Sequence, residues 1–315
     1  MRLRGISLVV ILAIVTGGCA HADASLSAPG HRVAAPEPVA AEGDPSADLG
    51  GAAPSTGLPA EVRRRLDRAL AAYLDSRPGR FAVAVHDRTT NVRYAFRQND
   101  PFMLASVAKV DILFALLLQA EREARELTVE ERQHAALMIR NSDNTSAQHL
   151  FTAIGGPQGL SKALRRHGVT HTVPGYSWGA TLSRPSDQVD VLERLIDPGG
   201  PLTARHQRYA LGLLSSVAPE QAWGVSAAAR HGQVALKNGW LPVQAHNGLW
   251  TINSVGRLAL PGHELFLAVL SERNPDMGAG IETVERVARL AVRAFTGIEP
   301  PQQARALSSE PASAG

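Results

Sequence analysis

The sequence predicts an α/β (α+β) sandwich with a sheet in one layer. Two strand signals open the foldable region, an all-helical stretch follows, and three strand signals with a closing helix end it. The alternation of period 2 with period 3.6 carries that division.

The elements follow in order. Leu58 to Leu74 places Leu66, Leu70, Ala71 and Leu74 on one face, with Arg and Asp between them, as an amphipathic helix does. Phe81, Val83 and Val85 then alternate with Ala82, Ala84 and His86. Val92, Tyr94 and Phe96 alternate with Arg93, Ala95 and Arg97. The intervening Thr89, Thr90 and Asn91 make this a hairpin signal. Helical spacing returns from Ser106 to about Arg125, and shorter helices are expected at 128–140, 145–154, 158–167, 186–195 and 203–216, punctuated by Pro and Gly. Strands are expected over Gln233–Leu236, Gly248–Leu260 and Glu264–Ser271, and a helix over Ile281–Phe295. No internal repeat and no zinc-like His/Cys spacing stands out.

Four segments are expected along the 315 residues. Residues 1–19 read as an export signal: Arg2 and Arg4, an apolar run from Ile6 to Val15, then Thr16, Gly17 and Gly18 before Cys19. The run is too short for a membrane-spanning helix. Residues 20–57 are rich in Ala, Pro, Gly, Ser and Asp and read as a disordered linker. Residues 58–297 form the folded domain, and 298–315 a disordered tail. Cys19 is the sole cysteine, so no disulfide can form within the chain. The net charge is +3 and the pI about 9.3, but the basic residues are scattered, with no stripe and no interleaved aromatics, which argues against nucleic acid as partner.

Lysine occurs only at 109, 162 and 237; every other basic position is Arg. A desolvated lysine can lose its proton and act as a base, whereas Arg stays charged. Lys109 lies three residues after Ser106, so on a helix both share one face, with the helix N-terminus favouring negative charge at the serine. Such an amine can activate a hydroxyl. The same spacing also arises from a capping serine followed by a surface lysine. Ser142-Asp143-Asn144 falls between two helices and Lys237-Asn238-Gly239 ends an expected strand; taken singly, each triplet is also ordinary turn chemistry.

In this order, S-x-x-K, S-D-N and K-x-G resemble the signature set of the class A β-lactamase and penicillin-recognising serine hydrolase superfamily. Ile154-Gly155-Gly156-Pro157 and Ser183-Arg184-Pro185 are similar to that family as well, and a small-residue stretch before Cys19 resembles a bacterial lipobox. The resemblance implies a class A β-lactamase/DD-peptidase-like fold, with a five-stranded antiparallel sheet and an all-helical subdomain. It implies that Ser106 attacks an amide or lactam carbonyl, Lys109 assists as base, and Ser142 passes a proton to the leaving nitrogen. Lys237 would bind a carboxylate and tune Ser142, while Asp143 holds its loop. Asn144, Asn238, Gly239, Trp240 and Tyr176 would line the substrate site, and the backbone N–H groups of Ser106 and Trp240 would form the oxyanion hole. Cys19 would carry lipid and tether the chain to a membrane. The implied partner is a small-molecule or peptide-like substrate, with no cofactor, no metal and a monomeric state.

Two departures bear on chemistry. No Asp or Glu occurs between Asp143 and Asp187, where class A enzymes carry the glutamate that activates the deacylating water; the loop from His167 to Ser183 offers His171, Tyr176, Ser177 and Trp178 instead. Asn238 replaces the hydroxyl residue usual in K-T-G or K-S-G, and Trp240 narrows the same rim. Three readings remain: a serine acyl-transfer hydrolase that clears slowly, a true β-lactamase, and a non-catalytic envelope module.

Overall fold

The computed structural model describes residues 56–229 and 232–297. Strand β1 (Thr56–Gly57) and helix α1 (Ala60–Leu74) lead into the hairpin β2 (Arg80–Asp87) and β3 (Val92–Phe96). After β4 (Phe102–Met103) come helices α2 (Ala108–Arg122), α3 (Val129–Arg140), α4 (Asn144–Ala153) and α5 (Gly156–Arg166). Strand β5 (Leu182–Ser183) precedes α6 (Pro185–Ile196) and α7 (Ala204–Leu214). Strands β6 (Gln233–Pro242), β7 (Trp250–Leu260) and β8 (His263–Glu272) and helix α8 (Met277–Thr296) complete the chain.

The main sheet has six strands in the order β1-β3-β2-β8-β7-β6, not the five expected. Five are antiparallel; the sixth is the two-residue β1, which pairs parallel to β3 through Thr56 and Val92. It falls at the end of the stretch expected to be linker. The signal, the rest of that linker, Cys19 and the tail lie outside the described residues.

Both sheet faces are covered, which explains why β2 is apolar on either parity. Phe81, Val83 and Val85 pack with Leu70, Leu74, Val287 and Phe295 from α1 and α8. Ala82 and Ala84, turned the other way, join a second core built on α2 and α6. Helix α2 is buried almost all round, as an unbroken apolar run such as Ile112–Leu118 requires. The helices that frame the site have explicit starts. Thr128 and Glu131 form a reciprocal capping box on α3, and the Asp143 carboxylate accepts from Ser146 N at 2.7 Å to start α4.

Two sequence boundaries move. Ser106 does not open α2 but sits in a single 3₁₀ turn, Ala105–Val107, that feeds it. Strand β6 runs on to Pro242, so Lys237–Trp240 lie in mid-strand on the open edge of the sheet.

Candidate active site

Ser106 and Lys109 meet as their spacing predicts: Lys109 Nζ lies 3.0 Å from Ser106 Oγ. The lysine is fully buried. Its nitrogen also lies 2.6 Å from the Ser142 carbonyl, 3.0 Å from Ser142 Oγ and 2.8 Å from Asn144 Oδ1. Burial pushes its pKa down to about 7, with the Asp143 carboxylate pulling the other way. A large share of the molecules therefore carries a neutral amine near neutral pH, able to accept the Ser106 proton.

Ser142 joins the second lysine to this pair. Lys237 Nζ donates to Ser142 Oγ at 2.9 Å and to the Asn238 carbonyl at 2.8 Å. Its pKa is lowered well below the ordinary lysine range, first by burial and then by repulsion from Lys109. One hydroxyl thus bridges two buried amines, giving a continuous proton path from Ser106 through Lys109 and Ser142 to Lys237. Asp143 is held below the usual carboxylate range by the Ser146 N–H, with Lys109 and His134 adding attraction.

Two residues of this cluster sit in left-handed backbone without being glycine: Ala105 at φ 48 and Ser142 at φ 55. Such positions typically cost about 1–3 kcal/mol each and persist where surroundings over-determine them. At Ala105 the restraint is Asn253 on β7, fully buried, whose Nδ2 donates to Met103 O at 2.8 Å and Leu104 O at 3.0 Å while its Oδ1 accepts from Ser271 N. Sequence reading missed Asn253, because a lone polar residue in an apolar strand carries no motif.

Three expected substrate-site residues are placed differently. Asn238 faces away from the lysine side of β6. Its Nδ2 donates to Gln221 O and Trp223 O, and the residue is buried, because strand parity turns it opposite to Lys237 and Gly239. Tyr176 is 99 % exposed and borders a groove with Phe151, Gly156 and Pro157, outside the lysine cluster. The loop residue that does reach the cluster is Trp178, whose ring centroid lies 4.7 Å from Lys109 Nζ. Gly239 has a packing reason of its own. A Cβ there would come within 2.6 Å of Leu104 O, 2.7 Å of Val107 N and 2.8 Å of Ser106 N, so the glycine lets β6 press against the turn that carries Ser106. Trp240 stands beside it, edge-on to Trp223 at 5.8 Å.

Among the described residues, no carboxylate hydrogen-bonds to Ser106, Lys109 or Ser142 Oγ. Asp111, the acid on the same helix as Lys109, is wholly buried against Gln188, and burial raises its pKa to about 8. One group of metal-ligating side chains does come together, on α3 and α4, separate from this cluster.

A family model described as the beta-lactamase enzyme family matches residues 123–295, more than half of the chain. The chain belongs to the beta-lactamase enzyme family. The matched span contains Ser142-Asp143-Asn144 and Lys237-Asn238-Gly239 but begins after Ser106 and Lys109, which geometry joins to it. Over 202 residues the chain is 29% identical to the putative lipoprotein LppW of Mycobacterium tuberculosis, covering 60% of this chain and 62% of that relative, so it spans about three fifths of the relative's length. The fold is similar to that of TLA-1 extended spectrum beta-lactamase (TM-score 0.67, 14% identity, 74% of this chain and 99% of the other). It is also similar to PBP-A (TM-score 0.66, 17% identity, 78% and 99%). A class A beta-lactamase from Bacteroides cellulosilyticus is similar too (TM-score 0.65, 14% identity, 75% and 99%), and the fold class is that of class A beta-lactamases.

Proposed function

We propose that this beta-lactamase-family chain is a serine hydrolase acylated at Ser106 by a β-lactam or a peptide-like amide or ester, and that it releases the acyl group slowly. The observation that carries the reading is the buried Lys109 amine 3.0 Å from Ser106 Oγ, with Ser142 Oγ linking it to Lys237. In the first step Lys109 takes the Ser106 proton as Oγ bonds to the substrate carbonyl carbon. The oxyanion is held by the N–H groups of Ser106 and Trp240, the latter on an edge strand that leaves alternate N–H groups unpaired. As the carbon–nitrogen or ester bond breaks, Ser142 gives its proton to the leaving group and is reprotonated through the lysines. Lys237 and Trp240 border the place for a substrate carboxylate, and Asn144, exposed at the start of α4, reaches the acyl side chain.

Slow release follows from what faces the nucleophile. The loop from His167 to Ser183 carries no carboxylate, and it lays Trp178 over Lys109. Loss of a positioned general base typically costs about a hundred- to ten-thousand-fold. Incubation with a fluorescent penicillin followed by intact-mass and peptide mapping tests the reading. A long-lived adduct on Ser106 is expected; rapid turnover without accumulation would establish a true β-lactamase instead, and no adduct with any acylating probe would leave a binding module. The name of the LppW relative supports a further part of the proposal. Residues 1–19 direct export, Cys19 carries the lipid, residues 20–57 act as tether, and the catalytic domain over 58–297 works at the cell envelope.

A further inference from the structure

Helices α3 and α4, which flank the Ser142-Asp143-Asn144 turn, bring together three side chains that the proposed reaction does not use. Glu130 and His134 lie one turn apart on α3, and His149 projects from α4. Glu130 Oε1 is 3.8 Å from His134 Nε2 and 3.6 Å from His149 Nε2, and the three ligand atoms lie within 4.8 Å of one another. The two imidazoles stack with centroids 4.2 Å apart. Around a zinc ion with bonds of roughly 2.0–2.1 Å, tetrahedral ligand atoms sit about 3.3 Å apart, so small rotations of the exposed Glu130 and His149 side chains toward half-buried His134 would close the set.

A second contact prepares one ligand. Buried Ser146 Oγ lies 3.0 Å from His134 Nδ1. Engaging that nitrogen orients the ring with Nε2 toward Glu130 and His149, as partners of metal-bound histidines do. The same Ser146 gives its N–H to Asp143. The ligand set and the turn that carries Ser142 therefore share a residue.

We propose that Glu130, His134 and His149 bind one zinc ion, with water completing the coordination, and that the ion clips α3 to α4 across the turn that positions Ser142. Two imidazole nitrogens and one carboxylate oxygen suit zinc, whereas calcium and magnesium prefer oxygen alone. Sequence spacing hides the site, because His149 comes from a different helix and no short His/Cys motif results.

The test uses the full-length chain carrying Cys19→Ser, so that no thiol competes, stripped of metal and titrated with zinc chloride by calorimetry. Expected are one zinc per chain and a visible absorption band when cobalt(II) is substituted. Affinity should fall at least about ten-fold in His149→Gln and in Glu130→Gln, and about 10- to 100-fold in Ser146→Ala. Zinc should also slow amide exchange over residues 141–146 in the parent but not in His149→Gln. Absence of saturable binding, equal binding by His149→Gln and Glu130→Gln, or unchanged exchange in the parent would overturn the proposal. The Glu130 and His149 side chains are solvent-exposed, so those two variants should fold. None of these readouts depends on acylation at Ser106.

Discussion

The depressed pKa of Lys109 makes a prediction that can be followed to a number. With a pKa of about 7, the free amine makes up about half of the molecules at pH 7 and about a tenth at pH 6, so acylation of Ser106 should slow roughly five-fold over that interval. An ordinary lysine, near 10.4, would leave fewer than about one molecule in a thousand competent at pH 7. Asp143 opposes the shift, so Asp143→Asn, which keeps a capping side chain, should move the rising limb to lower pH. Stopped-flow acylation by a fluorescent penicillin between pH 5 and 9 gives the limb. Carbon-13 labelling of lysine gives the amine directly, because the chain has three lysines and so three resonances to assign. Burial also costs stability: the penalty is full below pH 7 and fades as pH rises from about 7 toward 10.4, where the unfolded lysine loses its proton too. Lys109→Met should therefore raise the melting temperature near pH 6 while abolishing acylation. A flat rate profile, a limb above pH 9, or an upward move in Asp143→Asn would refute the assignment of Lys109 as base.

Other perturbations follow from single contacts. Asn253→Ala removes the donor to the Met103 and Leu104 carbonyls, of which Leu104 O keeps the Val107 N–H, and takes from the buried Ser271 N–H its acceptor; at about 1–3 kcal/mol for a buried unsatisfied group, a clear fall in thermal midpoint with slower acylation is expected, and an unchanged midpoint would deny the clamp. Gly239→Ala drives a methyl into three backbone atoms of the nucleophile turn and should abolish labelling of Ser106 by the probe, with circular dichroism checking that the sheet persists. Asp111 has a folded pKa raised to about 8 by burial, so stability is full in acid and is lost as pH rises from about 4 to 8. The isosteric Asp111→Asn should match the parent near pH 4 and be the more thermostable protein at pH 8; equal melting at both would sink that assignment.

The sequence was most informative where chemistry repeats a local spacing. Ser106 and Lys109 lie within one turn, and the periodicity of each helix survives in the structure, because an amphipathic or wholly apolar pattern has few other ways to be buried. Long-range relations were less visible. The parallel pairing of Thr56–Gly57 with β3 involves two residues, too few for a periodic signal. Asn238 was misplaced because a three-residue motif does not reveal which strand face each member takes. Between Tyr176 and Trp178, composition offered no choice; the fold of the loop puts only the indole against Lys109. Asn253, Glu130, His134 and His149 acquire meaning only through partners on other elements.

Ser106 and Lys109 belong to the buried helical layer, Ser142 to a hairpin of helices beside it, and Lys237 to the open edge of the sheet. No two adjacent elements hold the whole proton path. A chain with its secondary structure formed but its layers not yet docked would carry every reactive group and still be inert. Covalent labelling of Ser106 would then report completed folding, and the same dependence would keep a partly assembled molecule from reacting with whatever amide or ester it meets first.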